Sequence, residues 1–497
     1  MPKSADKKHI QNSSALIVVG IGASAGGLDA VKNFFSTIKA IPGYAIIIIQ
    51  HMLPEGAEVL LKTMEQVCPL PVSGIDQNTR LKKNHVYIVP PHCSVRFDDD
   101  PHFSASAVTQ EGQGTPVINP SFRSLAEIVG PNAVGIVLSG MGSDGSHGLN
   151  AIREAGGMTM VQDPESSEYD NMPENAIRTD HVDYTLQPEQ MPAELDAYLL
   201  FLKQTSEQKD DERDLLIEVE NHLPRICDKL LEVTGHDFRH YKTGTLIRRI
   251  MRRMQVLRLS DVQEYLSQLA TNLEETQCLF RELLISVTAF FRDPETFAIL
   301  AEQYLPRLFE DRARDQPIRI WVPACASGEE AYSLAMLLYE AREQAGLEVE
   351  MHVFATDIDE RALAIAREAV YPPSLEEHVS QERLKRFFVK KGKQYRVSKE
   401  IRELCVFSTH NLISDPPFSQ QDLISCRNLL IYLDAPLQQR IVPVLHFALK
   451  QNGFLLLGPS ENMMMHTEMF RPLDKKHCIS QRKSVPIQTS ALRYPSN

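Results

Sequence analysis

The sequence contains no Cys-x-x-Cys pair, no apolar leader, no long apolar run and no excess of basic charge. Each absence removes a class of function. Its eight cysteines (Cys68, Cys93, Cys227, Cys278, Cys325, Cys405, Cys426 and Cys478) are scattered, which argues against structural zinc and a disulfide framework and fits a reducing cytoplasm. The start, Met1 to Lys8, lacks the apolar core of a signal peptide. Apolar runs such as Ala45–Ile49 and Phe454–Leu457 are far too short to span a bilayer. A net charge of −13 argues against a general nucleic-acid binder. The expectation is a soluble intracellular protein with no metal, no nucleic-acid partner and no membrane insertion.

At 497 residues the chain exceeds a single core, so two or three domains are expected. A polar tail covers residues 1–14. From Leu16 to about Leu200, β-branched apolar runs alternate with amphipathic segments, the βαβ rhythm of a parallel sheet. Strands are expected at Leu16–Val19, Ala45–Ile49, Val86–Val89, Ala133–Leu138 and Met158–Val161, with helices near Leu28–Ile38 and Ser121–Val129. Phe97 to Gly114 reads as a loop or short hairpin. Residues 204–213 are uninterruptedly polar and charged, the strongest linker signal in the chain. From Leu215 to Ser286 the pattern is nearly continuous helix, broken only at Gly235 and Gly244. βαβ rhythm then returns, with strands expected at Ile318–Val322, His352–Ala355, Val406–Ser408, Leu423–Cys426 and Phe454–Leu457. Tyr371 to Ile401 fits neither rhythm and suggests an inserted subdomain. The two α/β halves share no residue pattern, so no internal repeat is expected.

In the first half, Gly20-Ile-Gly22-Ala-Ser24-Ala25 matches a relaxed dinucleotide loop, while Gly22-Ala-Ser24-Ala-Gly26 matches the G-x-S-x-G nucleophile elbow. The end of the second apolar run separates them. A dinucleotide site needs an Asp or Glu there for the ribose; this run ends in Gln50-His51. A later run, Ala133–Leu138, leads into Ser139-Gly-Met-Gly-Ser-Asp144. Ser, His and Asp thus reach one sheet edge, where His51 can take the Ser24 proton and Asp144 can orient the imidazole. From the residues alone, a structural serine, a helix-capping Asp144 and a satisfied edge histidine remain equally open.

In the second half, Ile318–Val322 runs into a small-residue turn, Pro-Ala-Cys-Ala-Ser-Gly328-Glu329-Glu330, where a carboxylate suits a cationic ligand. The next strand ends in Asp357, the ribose-binding carboxylate that the first half lacks. A third group, Asp422 to Tyr432, reads either as part of this site or as a strand followed by a helix capped by Asn428. Between the halves, Arg248, Arg249, Arg252 and Arg253 recur at helical spacing. A solvated basic face is the default reading of that run; the acidic total and the lack of interleaved aromatics weigh against nucleic acid.

Four stretches in order, Gly22–Gly27, Gln50-His51-Met52, Leu138–Gly145 and Gln162-Asp163-Pro164 leading to Asn171–Ile177, resemble the catalytic domain of chemotaxis protein-glutamate methylesterases of the CheB type. The resemblance implies Ser24 as nucleophile, His51 as base, Asp144 as orienting acid and the backbone N–H groups of Ala25 and Met141 as the oxyanion site. It implies hydrolysis of glutamate γ-methyl esters on receptor helices, with a glutaminase activity of the family beside it. Ala25 stands where the family commonly has Thr. Ser286–Pro294, Ala324–Glu330, Ala355–Asp359, His410-Asn-Leu412 and Cys426–Tyr432 resemble CheR-type chemotaxis receptor methyltransferases, which use S-adenosylmethionine. That likeness places Ser286, Thr288, Arg292, Glu329, Asp357, Asn411, Leu412, Cys426, Arg427 and Asn428 around the cofactor, and Tyr432 near the methyl acceptor. Ser286 stands where the family often has Asn. It also offers Arg248, Arg249, Arg252 and Arg253 as a docking face for acidic receptor helices, and the lysine-rich stretch Lys385–Lys393 as part of a small β-subdomain.

The implied fold class is α/β. It comprises a doubly wound parallel-sheet hydrolase domain over 15–200, a charged linker over 201–213, a helical subdomain over 214–286 and a Rossmann-like methyltransferase domain over 287–485. The implied partners are methyl-accepting chemoreceptor signalling helices. The family's usual phosphorylatable receiver domain has no counterpart in these residues, so a regulatory kinase or response-regulator partner is expected to gate two opposed activities. Two rivals stand beside this reading: a non-catalytic receptor-docking scaffold, and a nicotinamide-dependent oxidoreductase in the first half.

Overall fold

The structure is a computed structural model. It describes residues 16–485 except 40, 53, 76–78, 98–101, 108–115, 180–181, 208, 285–287, 311, 393 and 462–467. The chain divides into two compact units, Met1–Thr234 with Ile247–Glu282, and Gly235–Leu246 with Leu283–Asn497.

The first unit is built on seven strands: β1 (Val18–Ala23), β2 (Ala45–Gln50), β3 (Val72–Gly74), β4 (His85–Ile88), β5 (Ala133–Val137), β6 (Met158–Gln162) and β7 (Tyr184–Leu186). They pair in parallel in the order β7-β6-β5-β1-β2-β4-β3. The β-branched run of β2 is buried because helices cover both faces of the sheet. Ile46 and Ile48 join the cluster around Phe34 and Phe35, and the alternating Ala45, Ile47 and Ile49 join the one around Phe122 and Leu125. Strand order reverses at β1, whose neighbours are β2 and β5, so the switch point where such sheets bind ligands lies there.

β1 runs further than the sequence pattern suggested, through Gly20 and Gly22 to Ala23. Those glycines are a packing requirement. A Cβ on Gly22 would lie 2.5 Å from Ile118 Cγ2, and one on Gly20 would lie 2.9 Å from Phe122 Cε1. The Gly-x-Gly spacing common to dinucleotide loops and nucleophile elbows here seats the helix Ile118–Val129. Cys93–Phe97 and His102–Ala107 pair as an antiparallel hairpin, and the rest of the stretch to Gly114 lies outside the described residues.

The expected linker is helical on both sides of residue 208, which lies outside the described residues. Met191–Glu207 and Lys209–Thr234 are helices, because residues 204–213 hold no Gly or Pro and several Glu, Gln, Lys and Arg, which form helix readily. The helices that follow include Thr243–Val256, Val262–Thr271 and Leu273–Leu283. Gly235, at φ 72°, ends the first of the series in the left-handed region, whereas Gly244 lies inside a helix.

The expected basic docking face is corrected here. Arg249, Arg252 and Arg253 are buried and only Arg248 is exposed. Glu282, 1% exposed, accepts from Arg153 Nε at 2.8 Å, Arg249 at 3.2 Å and Arg252 at 2.9 Å. Arg252 also donates to the Gly157 carbonyl and to Asp183 at 2.6 Å, and Arg253 pairs with Glu275 at 2.5 Å. Buried guanidinium groups demand such partners, since an unpaired charge there is prohibitive. Burial alone would raise the Glu282 carboxyl; Arg252, Arg153 and Arg249 outweigh it and hold the carboxyl far below the usual range.

The second unit carries β8 (Ile318–Pro323), β9 (Met351–Asp357), β10 (Cys405–Thr409), β11 (Gln421–Cys426), β12 (Leu449–Leu457), β13 (Phe470–Asp474) and β14 (Ile479–Arg482). Their order is β10-β9-β8-β11-β12-β14-β13. The first five pair in parallel, and β14 is antiparallel to both its neighbours. Here the order reverses at β8. The stretch that fitted neither rhythm contributes a three-stranded antiparallel sheet of Val370–Tyr371, Gln394–Val397 and Phe388–Lys391. No described helix is long and apolar enough to cross a membrane.

Removing Glu282 leaves three buried cations sharing fewer anions. Glu282→Ala should lower the stability of the first unit by about 3–5 kcal/mol, while Arg248→Ala should stay within about 0.5 kcal/mol, both read by urea unfolding. The folded Glu282 carboxyl is depressed, so its contribution is full above the ordinary glutamate range, roughly pH 4.3, and is lost as pH falls through that range toward the folded value.

Candidate active sites

At the switch point of the first sheet, three strand ends converge. Ser24 follows β1, His51 follows β2 and Asp144 lies in the loop after β5. The Ser24 amide donates to the Ser139 carbonyl at 3.0 Å and the His51 amide to the Ala23 carbonyl at 3.0 Å, which ties the three ends together. Gly26, at φ 70°, turns the chain from Ser24-Ala25 into the helix Gly27–Ser36.

The side chains form a continuous chain. Ser24 Oγ lies 3.3 Å from His51 Nδ1, and His51 Nε2 lies 2.9 Å from Asp144 Oδ2. The carboxylate on Nε2 fixes the Nε2–H tautomer and leaves Nδ1 as the acceptor for the serine proton. Asp144 is itself anchored. Its oxygens accept from the amides of Val117, Ile118 and Asn119 at 2.8 Å each, at the N-terminus of the helix Ile118–Val129, and from Gly145 at 3.0 Å, which caps the helix Ser146–Glu154. Burial would raise its carboxyl, but the His51 hydrogen bond and charge and the Ile118 and Asn119 amides hold it below the usual range. Asp144 therefore anchors a helix N-terminus and orients His51 at once.

Ala25 and Met141 flank this chain. Ser139 Oγ donates to the Ala25 carbonyl at 3.1 Å, and a Cβ on Gly140 would lie 2.8 Å from Ser24 Cβ, so the residues before Met141 pass directly against the nucleophile turn. Met141 is 46% exposed. Ser139 and Gln162 lie in the motif stretches without a role readable there, and Asn119 carries no sequence signal at all. Gln162 accepts from the Ser139 amide at 2.8 Å, and Asn119 accepts from the Gly145 and Gly148 amides at 2.9 and 2.8 Å. All three are buried polar side chains tying one strand-end loop to another, a role with no local sequence signal.

In the second unit the loop after β8 is bent at Ala324, Ala326 and Gly328, with φ of 55°, 47° and 93°. Non-glycine residues in this region carry strain of about 1–3 kcal/mol each and concentrate at functional sites. Glu329 opens the helix Glu329–Ala345 and accepts from Ser327 Oγ at 2.8 Å. Its enclosure pushes the carboxyl up to about 7, against the Ser327 hydrogen bond. Among the described residues no cation pairs with it. Asp357, at the end of β9, accepts from the Ala326 amide at 2.8 Å and the Asp359 amide at 2.9 Å, and enclosure raises it too. Both remain partly open to solvent. Two enclosed, reachable carboxylates without cations, at a switch point beside a small-residue loop, fit a ligand with a cationic group and a ribose.

The other expected cofactor residues sort differently. Arg427 is turned into the protein: its guanidinium donates to Glu330 at 3.0 Å, the Arg292 carbonyl at 3.0 Å and Asp293 at 2.5 Å, and lies over the Phe297 ring. A side-chain contact from Arg427 to a cofactor is thereby corrected to a scaffolding role, which Glu330 shares. Cys426 and Leu412 are buried, whereas Thr288, Arg292, Asn411, Asn428 and Tyr432 are partly exposed. Asn411 Nδ2 donates to His236 Nδ1 at 3.2 Å. Burial lowers the His236 imidazole to about 4, so it accepts as the neutral ring. Ser286 lies outside the described residues.

Three family models match the chain: CheB methylesterase over residues 19–195, the all-alpha domain of CheR methyltransferase over 221–284, and its SAM binding domain over 286–479. Chemotaxis protein methyltransferase 2 of Pseudomonas aeruginosa is 32% identical over 50% of this chain and 88% of its own length. A putative protein-glutamate methylesterase/protein-glutamine glutaminase of Leptospira interrogans is 33% identical over 34% of this chain and 89% of its own. An uncharacterized 104.1 kDa protein of Rhodobacter capsulatus is 36% identical across both halves, over 83% of this chain, which spans 45% of that protein's length.

The Ser24 chain predicts a reactive serine. A fluorophosphonate probe should label wild-type protein at Ser24, Ser24→Ala should show no label in intact-mass spectra, and Asp144→Asn should slow labelling about 10⁴-fold.

Proposed function

The chain belongs to the CheB methylesterase and CheR methyltransferase families, and on that premise we propose that it both hydrolyses and forms glutamate γ-methyl esters on chemoreceptor signalling helices in the cytoplasm. The observation that carries the first half is the Ser24–His51–Asp144 chain at the sheet's switch point.

Ser24 Oγ attacks the ester carbonyl while His51 Nδ1 takes its proton, and Asp144 stabilises the resulting imidazolium. The backbone N–H groups of Ala25 and Met141 receive the oxyanion; the close passage of Gly140 against Ser24 supports this assignment. One such donor is worth about 3 kcal/mol in the transition state. His51 returns the proton to the departing methanol. Water, activated by the same nitrogen, then releases the glutamate and restores Ser24. A side-chain amide presents the same carbonyl with ammonia as leaving group, so glutamine deamidation is compatible with this site.

In the second half Glu329 would hold the cationic end of S-adenosylmethionine and Asp357 its ribose, and Thr288, Arg292, Asn411, Leu412 and Asn428 would line the site. When bound, that cofactor supplies an electrophilic methyl group. The acceptor glutamate is already ionised at pH 7, so this chain's residues need supply no strong base. Their work would be to position the acceptor carboxylate, with Tyr432 beside it. Opposed activities on one chain cycle without net effect unless gated, and we assign the gate to a regulatory partner of the kinase or response-regulator kind.

With methylated receptor peptides and mass spectrometry, wild-type protein should remove glutamyl methyl esters and Ser24→Ala should not. Calorimetry should find S-adenosylmethionine bound to wild type and to Ser24→Ala alike, with binding lost in Asp357→Ala. Glu329 adds a pH dependence. Below about pH 7 its carboxyl is protonated and must ionise to pair with a cation, so cofactor affinity should fall as pH drops through 7, by up to about tenfold per unit. Glu329→Gln should bind weakly and lose this dependence.

A further inference from the structure

The turn from Asn428 to Tyr432 carries two of the groups assigned above, yet no regular hydrogen-bond ladder fixes it. After β11 the chain enters the left-handed region at Asn428, φ 60°, and reaches a single 3-10 turn at Leu430–Tyr432. Its carbonyls are met by the Lys242 amide, which donates to Tyr432 at 2.8 Å, and by Gln438 Nε2, which donates to Leu430 and Leu433 at 2.7 and 3.1 Å. The amides of Asn428, Leu430 and Ile431 are held by one side chain from beyond the end of β12. Glu461 is 4% exposed. Its Oε2 accepts from the amides of Asn428 at 2.9 Å and Gly458 at 2.7 Å, and its Oε1 from those of Leu430 at 2.7 Å and Ile431 at 3.3 Å. Four donors saturate the acceptor capacity of an ionised carboxylate. Among the described residues no Lys, Arg or His forms an ion pair with it; its two oxygens are met by these four backbone amides.

We propose that Glu461 is the positioning residue of the methyl-transfer site, setting the conformation in which Asn428 meets the cofactor and Tyr432 meets the acceptor. The inference rests on the methyltransferase reading. The chemistry of the side chain matters because both oxygens must accept. A glutamine would turn an NH₂ group toward two amide donors, leaving buried donors facing donors. The junction has no slack to absorb this. A Cβ on Gly458 would lie 2.9 Å from Glu461 Oε2 and 3.0 Å from both the Asn428 amide and its Nδ2. Displacing the turn by a fraction of an ångström moves Asn428 and Tyr432 together, and misplacement on that scale slows positioned reactions by one to two orders of magnitude.

The test compares Glu461→Gln and Glu461→Asp with wild type by calorimetry with S-adenosylmethionine and by methyl transfer to receptor peptide at saturating cofactor. Fluorophosphonate labelling of Ser24 serves as a control remote in sequence. For Glu461→Gln we expect an unchanged number of cofactor sites per folded chain, a Kd raised roughly tenfold or more and a saturated transfer rate lowered roughly tenfold or more. Glu461→Asp, which keeps both oxygens, should recover part of the rate. Ser24 labelling should not change. Wild-type Kd and rate in Glu461→Gln would overturn the proposal. So would a loss of activity matched by an equal loss of binding sites, since that is misfolding alone. Should Glu461→Gln not accumulate as folded protein, Glu461→Asp, one methylene shorter, decides: a raised Kd and a lowered saturated rate at an unchanged number of sites support the proposal, and a wild-type Kd and rate, or a loss confined to site number, overturns it. Wild-type protein that binds no S-adenosylmethionine would bring down the methyltransferase reading itself, a result distinct from any difference between variants.

Discussion

A carboxylate enclosed among backbone amides is the interaction on which both sites depend. Parallel strands end in loops whose N–H groups have no ladder partner, and those loops must nonetheless hold reactive groups still. Asp144 collects four such donors, Asp357 two and Glu461 four. In each case the ionised side chain satisfies groups from loops distant in sequence and so fixes their mutual geometry. Asp144 goes furthest, since one of its oxygens also faces His51 and couples the helix N-terminus to the imidazole.

The same physics separates the two halves. In the first, the carboxylate is well partnered and held below its usual range, which suits the orienting role proposed for it beside His51. In the second, Glu329 is raised to about 7 and Asp357 is raised as well, because enclosure is incompletely offset by donors. A site whose anions are underpartnered is poised for a ligand that brings the missing charge and hydroxyl groups.

Strand ends were the legible part. The apolar runs located ten of the fourteen strands of the two large sheets, and the segments just after them hold Ser24, His51, Asp144 and Asp357. Tertiary contacts were not legible. The arginine helix reads as an exposed basic face because its spacing is periodic, and nothing local reveals that Glu282, Glu275 and Asp183 bury it. The charged stretch 204–213 reads as a linker because polarity was weighed above helix propensity. Glu461 followed the rule that identified Asp357, a carboxylate soon after an apolar run, but the intervening Gly458-Pro-Ser obscured it.

The guanidinium cluster bears on how this chain can be taken apart. Its helices match the methyltransferase family by sequence, yet Ile247–Glu282 belongs to the same compact unit as the hydrolase sheet. A fragment cut within 204–213 would carry Arg153 and Asp183 to a new surface and strip the severed helices of the partners for Arg252 and Glu282. A cut in that stretch therefore exposes unpaired charge on both of its products. Burying ion pairs between the sheet and these helices ties the folding of the two to one another, and a cut between them carries a solvation cost.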